Sequence, residues 1–87
     1  MKPTSAAPSS HKATLHRLKK GKQAHISDMS SIHETVQQRL LDLGVTEGTM
    51  IKLIRRSLFG GPLMLEANGQ LFGLRRVDAS LIGVKPL

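Results

Sequence analysis

The dipeptide Asn68-Gly69 constrains the fold of this chain more than any other feature. It stands between two apolar runs, "LMLEA" (63–67) and "QLFGLRR" (70–76). Asn and Gly tolerate the positive φ angles that a two-residue type I′ turn requires at both central positions. The sequence therefore predicts an antiparallel hairpin here, and with it a mainly β fold.

Further short strand-like segments surround this hairpin and are separated by glycine-containing turns. They cover residues 14–18, 23–29, 49–57 and 82–86. Between the hairpin and the last segment, "VDASL" (77–81) is typical of a short helical turn with Asp78 as its N-cap. Several short strands joined by turn residues favour a small barrel. We therefore predict that residues 14–87 form one small β-barrel domain.

One segment has the periodicity of an amphipathic helix, and we expect that helix to cover residues 32–43. Its apolar residues recur at spacings of four, four and three, which places them on one face. These residues are Ile32, Val36, Leu40 and Leu43. Ser31 followed by Glu34 fits a capping box at the start. Gly44 suits the left-handed residue that often follows a helix.

Basic residues are concentrated at the N-terminal end. The chain has 13 Lys and Arg against six Asp and Glu, a net charge of +7. Residues 1–22 carry six of these bases and no acid, so seven bases and six acids leave the rest at +1. Such a segment attracts anionic partners or serves only as a solubilising arm. Residues 1–13 also lack bulky apolar side chains after Met1, so we expect a disordered basic tail.

The chain shows no motif typical of an enzyme, a metal site or a membrane protein. It has no cysteine, which excludes disulfides and thiolate ligands. Its four histidines (His11, His16, His25 and His33) match no zinc-binding spacing. The acids are scattered singly, and neither a P-loop nor a nucleophile elbow is present. With no secretory signal and no apolar span of about 20 residues, we expect a soluble, non-catalytic protein without a cofactor.

The stretch "RRSLFGGP" is the strongest candidate for a functional surface. Gly60 and Gly61 allow a sharp turn, and Pro62 suits the first position of a strand. Leu58 and Phe59 either close the mouth of the barrel or form an exposed patch for a partner. We expect the first role for Leu58 and the second for Phe59, because arginine and aromatic residues are common in interface hot spots. The predicted partner-contact surface comprises Arg55, Arg56, Leu58, Phe59, Gly60, Gly61 and Pro62.

Nucleic-acid binding by a small basic barrel is an alternative. Two arginine pairs, Arg55-Arg56 and Arg75-Arg76, lie on predicted strands and would form a basic patch if those strands were neighbours. Small barrels that bind single strands also stack bases on aromatic side chains. The chain has only two aromatic residues, Phe59 and Phe72, which weakens this alternative.

The chain resembles the FeoA family over about residues 14–87. The resemblance is carried, in order along the chain, by "RLLDLG" (39–44), Gly48, Gly61-Pro62, Leu74-Arg75 and Ile82-Gly83-Val84. It implies an SH3-like β-barrel with one short helix. It also implies a cytoplasmic accessory role in ferrous iron uptake, through contact with FeoB, the GTP-dependent membrane transporter, and hence a place at the inner membrane through that partner.

The same resemblance allows a second functional interpretation. The implied fold also occurs as the C-terminal domain of metal-dependent repressors of the diphtheria-toxin-repressor type. A stand-alone regulatory domain of that kind is therefore an alternative. The chain lacks the helix-turn-helix and metal-binding parts that such repressors carry.

Overall fold

Five antiparallel strands and two helices form the fold of residues 13–87, the part of the chain that the computed structural model describes. The strands are β1 (Gln23–Asp28), β2 (Met50–Arg56), β3 (Leu63–Ala67), β4 (Gln70–Leu74) and β5 (Gly83–Pro86). The helices are α1 (Glu34–Asp42) and the four-residue α2 (Arg76–Ala79), and 3-10 turns cover Leu15–Arg17 and Leu58–Gly60. Residues 1–12, with His11, lie outside this part, so the disorder of the tail stays a prediction.

The strands form one open sheet in the order β4-β3-β2-β1-β5. The predicted mainly β class is confirmed, but the sheet does not close into the predicted barrel, because the edge strands β4 and β5 do not pair with each other. Other segments cover part of each edge. The N–H of Val84 in β5 donates to the carbonyl of Ala13 at 3.1 Å, and Arg39 of α1 donates to the carbonyl of Gly73 in β4 at 3.1 Å. One backbone group on each edge strand is thus satisfied by a segment outside the sheet.

The predicted hairpin is confirmed. Strands β3 and β4 pair from Leu63↔Leu74 to Ala67↔Gln70, and Asn68 and Gly69 form the turn with φ angles of 54° and 76°. The Asn68 amide nitrogen also donates to the carbonyls of Leu43 at 3.3 Å and Gly44 at 2.9 Å. These acceptors follow directly after α1, where backbone carbonyls lack helical partners. The turn therefore joins the hairpin to the end of the helix.

The predicted helix exists but begins two residues later than expected. Its N-cap is His33, whose ring Nδ1 accepts the N–H of Thr35 at 3.1 Å, so the expected capping box is wrong. Gly44 has a φ of 77°, as the pattern predicted. The apolar stripe faces the core: Ile32 and Leu40 are buried, and Val36 and Leu43 are half-buried against the core. The apolar face of the helix therefore packs against the hydrophobic core.

The segment 14–18 is not the predicted strand. Only Thr14 bridges to Gly83 beside β5, and the chain then enters the 3-10 turn Leu15–Arg17. Burial of Leu15 and Leu18 explains the difference, because a spacing of three directs both side chains inward from a 3-10 turn but not from a strand. Asp78 is not the N-cap of α2 either. It is a buried residue inside the helix whose carboxylate accepts from the Arg75 side chain at 2.9 Å.

Candidate functional site

The connection between β2 and β3, residues 57–62, is the most exposed apolar part of the described chain; we call it the Leu58–Phe59 loop. It is closed at its base by the N–H of Ser57, which donates to the carbonyl of Pro62 at 3.2 Å. A second bond, from the N–H of Gly61 to the carbonyl of Leu58 at 3.3 Å, forms the 3-10 turn at its tip. The loop is therefore a defined turn.

Both large apolar side chains of the loop point into solvent. Leu58 is 80% exposed and Phe59 is fully exposed, at 102%. The expectation that Leu58 closes the mouth of the barrel is thus wrong, because the side chain lies outside the core. The exposure expected for Phe59 is what the structure has. Two adjacent large apolar side chains left in water form a patch that favours contact with another molecule.

Phe59 also has an unfavourable backbone conformation, with φ 59° and ψ 35°. This is the left-handed region, where a bulky L-residue is held at a cost of about 1–2 kcal/mol. Among residues 13–87 one other non-glycine residue has a positive φ, Asn68. The strain at Phe59 is not offset by burial of its own ring, since that ring is fully exposed.

The glycines after Phe59 allow this geometry. Gly60 has a φ of 77°. A Cβ atom at Gly61 would lie 2.8 Å from the Cβ of Ser57, a distance at which one of the two must move. Pro62 is exposed and precedes Leu63, the first residue of β3. These three residues shape the loop and present Leu58 and Phe59 at its tip.

The two arginines before the loop are placed differently. Arg55 is exposed. Arg56 is half-buried, and its Nη2 donates to the carbonyls of His16 at 2.6 Å and Leu18 at 2.7 Å. A register shift between Leu53 and Arg55 in the pairing of β2 with β3 breaks the expected alternation at this end of the strand. Arg56 therefore holds the 3-10 turn Leu15–Arg17, which we call the N-terminal turn, against β2. Arg55 is the cation of this pair that faces solvent.

The second predicted arginine pair is not on a strand. Arg75 is the N-cap of α2 and Arg76 is its first residue. Arg76 nevertheless reaches the loop, because its Nη2 donates to the carbonyl of Ser57 at 3.4 Å. Its Nε is buried without a hydrogen-bond partner. Fold topology thus brings Arg56 and Arg76 behind the same loop, although the second pair is not on a strand as the sequence predicted.

His16 lies beside Arg17, Arg56 and Arg76. Its ring shares a hydrogen bond of 2.8 Å with the hydroxyl of Thr14. Partial burial lowers the pKa of His16 below its ordinary value of 6.5, and the nearby charges of Arg17, Arg56 and Arg76 lower it further. The surroundings of the loop base are therefore electropositive.

The three histidines within the described residues do not converge on a common site. Within residues 13–87 no group of three or more His, Asp or Glu side chains is arranged to hold a metal ion. His16 lies in the N-terminal turn, His25 in β1 and His33 at the start of α1. No helix in the described part of the chain is long and apolar enough to cross a membrane.

Two features of this surface were not found from the sequence. The strained φ of Phe59 has no reliable sequence signal, since an aromatic residue before two glycines is compatible with several turn types. The bond from Arg76 to Ser57 joins residues 19 positions apart. Only the packing of α2 beside the N-terminal turn reveals it.

In the comparison with known families, residues 13–86 match a family described as "FeoA domain". No curated protein sequence matches significantly. The matched range covers almost all of the described residues.

Solved structures with similar folds include FeoA proteins and a repressor. The FeoA protein of Chlorobium tepidum is 33% identical, with a TM-score of 0.80 over 86% of this chain and 70% of that chain. FeoA of Stenotrophomonas maltophilia, solved with zinc and described as an SH3 domain protein, is 24% identical, with a TM-score of 0.71 over 84% and 89%. A manganese-dependent transcriptional repressor is 16% identical, with a TM-score of 0.76 over 88% of this chain but 42% of the repressor.

Proposed function

Because this chain belongs to the FeoA domain family, we propose that it is a non-catalytic accessory protein of ferrous iron transport that acts by contact with a FeoB-type membrane transporter. The family membership and the SH3-like fold shared with FeoA proteins support this role. The expected place of action is the cytoplasmic side of the inner membrane, where the transporter presents its GTPase part. Likeness to the manganese-dependent repressor, at 16% identity, concerns the fold alone and leaves the repressor-type alternative second.

The observation that carries the contact proposal is the conformation of Phe59. A bulky side chain in the left-handed region is uncommon. In the isolated domain the Phe59 ring is fully exposed, so its burial does not offset the backbone strain. Backbone strain that no contact of the side chain within the domain offsets is characteristic of residues whose role lies in binding or switching. A partner that covers the ring would supply the missing stabilisation.

The energetic argument assigns different tasks to the loop residues. Full burial of a Leu or Phe side chain is worth about 1.5–3 kcal/mol, so Leu58 and Phe59 provide the apolar part of the contact. Arg55 is free to meet an acidic group on the partner. Arg56, Gly60, Gly61 and Pro62 maintain the shape of the loop and its attachment to the sheet.

The proposal is tested by measuring the affinity of this protein for the purified cytoplasmic part of a FeoB-type transporter from the same organism. We expect Phe59→Ala to weaken binding tenfold or more, in line with the loss of a central aromatic anchor. Leu71→Ala is a matched control, because Leu71 is also a large exposed side chain, at 63%, but lies on the edge strand β4. It should bind as the parent does.

Thermal unfolding of both variants separates binding from folding, and both should melt close to the parent. Equal binding by Phe59→Ala and the parent would contradict the proposed surface. Absence of any binding by the parent would contradict the proposed function itself.

A further inference from the structure

A second surface lies between the N-terminal segment and the end of β5. It is a groove with a volume of about 470 Å³, and none of the residues 57–62 contributes to it. We call it the basic groove and define it by Arg17, Lys19 and Lys22 on its rim, with Leu18, Val84 and Leu87 as its apolar lining. This surface is therefore separate from the Leu58–Phe59 loop.

The backbone that carries the three cations is held by hydrogen bonds on both sides. The backbone N–H of Leu18 closes the 3-10 turn by donating to the carbonyl of Leu15 at 3.1 Å, and the N–H of Lys22 donates to the carbonyl of Lys19 at 3.0 Å. The N–H of Gly21 donates to the carbonyl of Leu53 in β2 at 2.7 Å, and the N–H of Leu53 donates to the carbonyl of Lys22 at 3.1 Å. The basic segment from Arg17 to Lys22 is thus part of the folded surface, which distinguishes it from a simple solubilising arm.

The cations of the groove take part in none of the ion pairs that the structure shows within residues 13–87. Arg17, Lys19 and Lys22 are exposed, and no acidic side chain is among the residues that line the groove. In the described part of the chain, the ion pair that the structure shows joins Arg75 to Asp78 instead. Three like charges around one concave surface repel each other, so an anionic ligand gains from all three at once.

The groove also has an apolar component. Leu18 and Val84 are buried at its floor, and Leu87 is 71% exposed at its rim. A ligand that contains only anionic groups would leave this Leu87 side chain in water. The lining therefore favours a ligand with both carboxylates and apolar side chains.

Other occupants fit these observations less well. Residues 1–12 contain two lysines and no acid, so the chain's own N-terminal tail cannot supply the negative charge. No aromatic side chain lines the groove, although aromatic stacking is the usual basis of single-stranded nucleic-acid binding. A bilayer surface is broad, whereas this surface is concave and a few side chains wide.

We propose that the basic groove binds an acidic peptide segment of a protein partner. Carboxylates of the segment lie at Arg17, Lys19 and Lys22, and one apolar side chain packs against Leu87 above Leu18 and Val84. This inference is independent of the identity of the transporter and of the Leu58–Phe59 loop. It assigns a separate docking site to the face formed by the N-terminal turn and β5.

The test is fluorescence anisotropy with two labelled peptides, one of alternating Glu and Leu and one of alternating Glu and Ser. The full chain should bind the Glu/Leu peptide more tightly, and added salt should weaken binding of both. Replacing Arg17, Lys19 and Lys22 together by Ala should weaken binding at least about tenfold. The control replaces Lys20, Lys52 and Lys85, which lie outside the groove and carry the same total charge, and should change binding less than about twofold.

Two further variants keep the result decisive. The single charge reversal Arg17→Glu replaces the triple variant if the latter melts below the parent. Leu87→Ser should weaken binding of the Glu/Leu peptide about threefold and leave the Glu/Ser peptide unchanged, which tests the apolar component.

Several results would overturn the proposal. Equal losses in the groove variant and its control would show attraction by net charge alone. Tighter binding of an oligo-dT strand than of the Glu/Leu peptide, lost in the groove variant, would make the groove a nucleic-acid site. Binding of phosphatidylserine-containing vesicles but of neither peptide, again lost in that variant, would make it a lipid contact.

Discussion

Two turns of the same sheet illustrate how differently a left-handed residue can be used. Asn68, at the β3–β4 turn, has a φ of 54°, and Phe59, at the β2–β3 loop, has a φ of 59°. Asn tolerates this region because its side chain is short and polar, and here the side chain also bonds the carbonyls of Leu43 and Gly44. Phe59 has neither advantage, and its ring is fully exposed.

The comparison separates a conformation that serves the fold from one that does not. The strain at Asn68 is small and is offset by contacts that join the hairpin to helix α1. The strain at Phe59 is larger and is offset by nothing in the ring's own surroundings. We conclude that folding selects the residue at position 68, and we propose that binding selects the residue at position 59.

The largest effect is expected at the Asn68 turn. Asn68→Ala removes two hydrogen bonds to carbonyls, worth about 0.5–1.5 kcal/mol each, and places an alanine in the left-handed region at a cost of about 1 kcal/mol. We expect the free energy of unfolding to fall by about 2–4 kcal/mol in urea denaturation. Asn68→Gly keeps the favourable φ and loses only the bonds, so it should cost about 1–3 kcal/mol. Two variants as stable as the parent would show that the bonds to α1 contribute nothing.

A smaller effect is expected at the loop. Phe59→Gly relieves the left-handed strain, a gain of about 1 kcal/mol, but glycine also loses more conformational freedom on folding, about 0.5–1 kcal/mol. The two terms nearly cancel, so the same denaturation measurement should give a stability within about 0.5 kcal/mol of the parent. Asn68→Gly is the matched comparison. A loss at position 59 as large as that at position 68 would mean that the Phe59 ring packs on the domain.

The smallest effect concerns the cationic region behind the loop. Partial burial and the charges of Arg17, Arg56 and Arg76 lower the pKa of His16 below 6.5, so the folded state binds its proton less readily than the unfolded state. The contribution of His16 to stability is therefore fully present above pH 6.5. It is lost as the pH falls from 6.5 through the folded-state pKa.

This pH dependence is measurable by thermal unfolding between about pH 5 and 8, the range in which histidine titrates. His16→Gln should flatten the decline of the melting temperature below pH 6.5. His25→Gln, which leaves His16 in place, should retain it. A decline of the melting temperature that is unchanged in His16→Gln would assign the pH dependence to other groups. It would contradict the contribution of His16 to stability.

Elements defined by a local pattern were predicted well. Asn68-Gly69 between apolar runs was enough for the hairpin, because the turn geometry depends on those two residues. The apolar spacing from Ile32 to Leu43 was enough for the face of α1, since the helical period is independent of its surroundings. The first residue of α1 could not be predicted in this way, because the side chain of His33, rather than that of Ser31, accepts a hydrogen bond from the first turn.

Elements that depend on distant partners were predicted poorly. A 3-10 turn replaced the strand at 14–18, since Leu15 and Leu18 both enter the core and the Arg56 guanidinium bonds the turn across 40 residues of sequence. The sheet is open, and Ala13 and Arg39 each bond one backbone group on one of its two edges. For the site, the sequence located the exposed Phe59 and its neighbours but placed Leu58 in the barrel mouth.

What the amino-acid order alone determined is therefore the mainly β class, the hairpin, the helix face and the position of the most exposed aromatic residue. These depend on turn chemistry and on periods of two and 3.6 residues, which act within a few positions of the chain. The open sheet, the attachment of Asn68 to α1 and the concave arrangement of Arg17, Lys19 and Lys22 beside β5 required the folded structure. Each joins residues far apart in sequence, and no local pattern states which distant group will satisfy a backbone carbonyl or leave a cation unpaired.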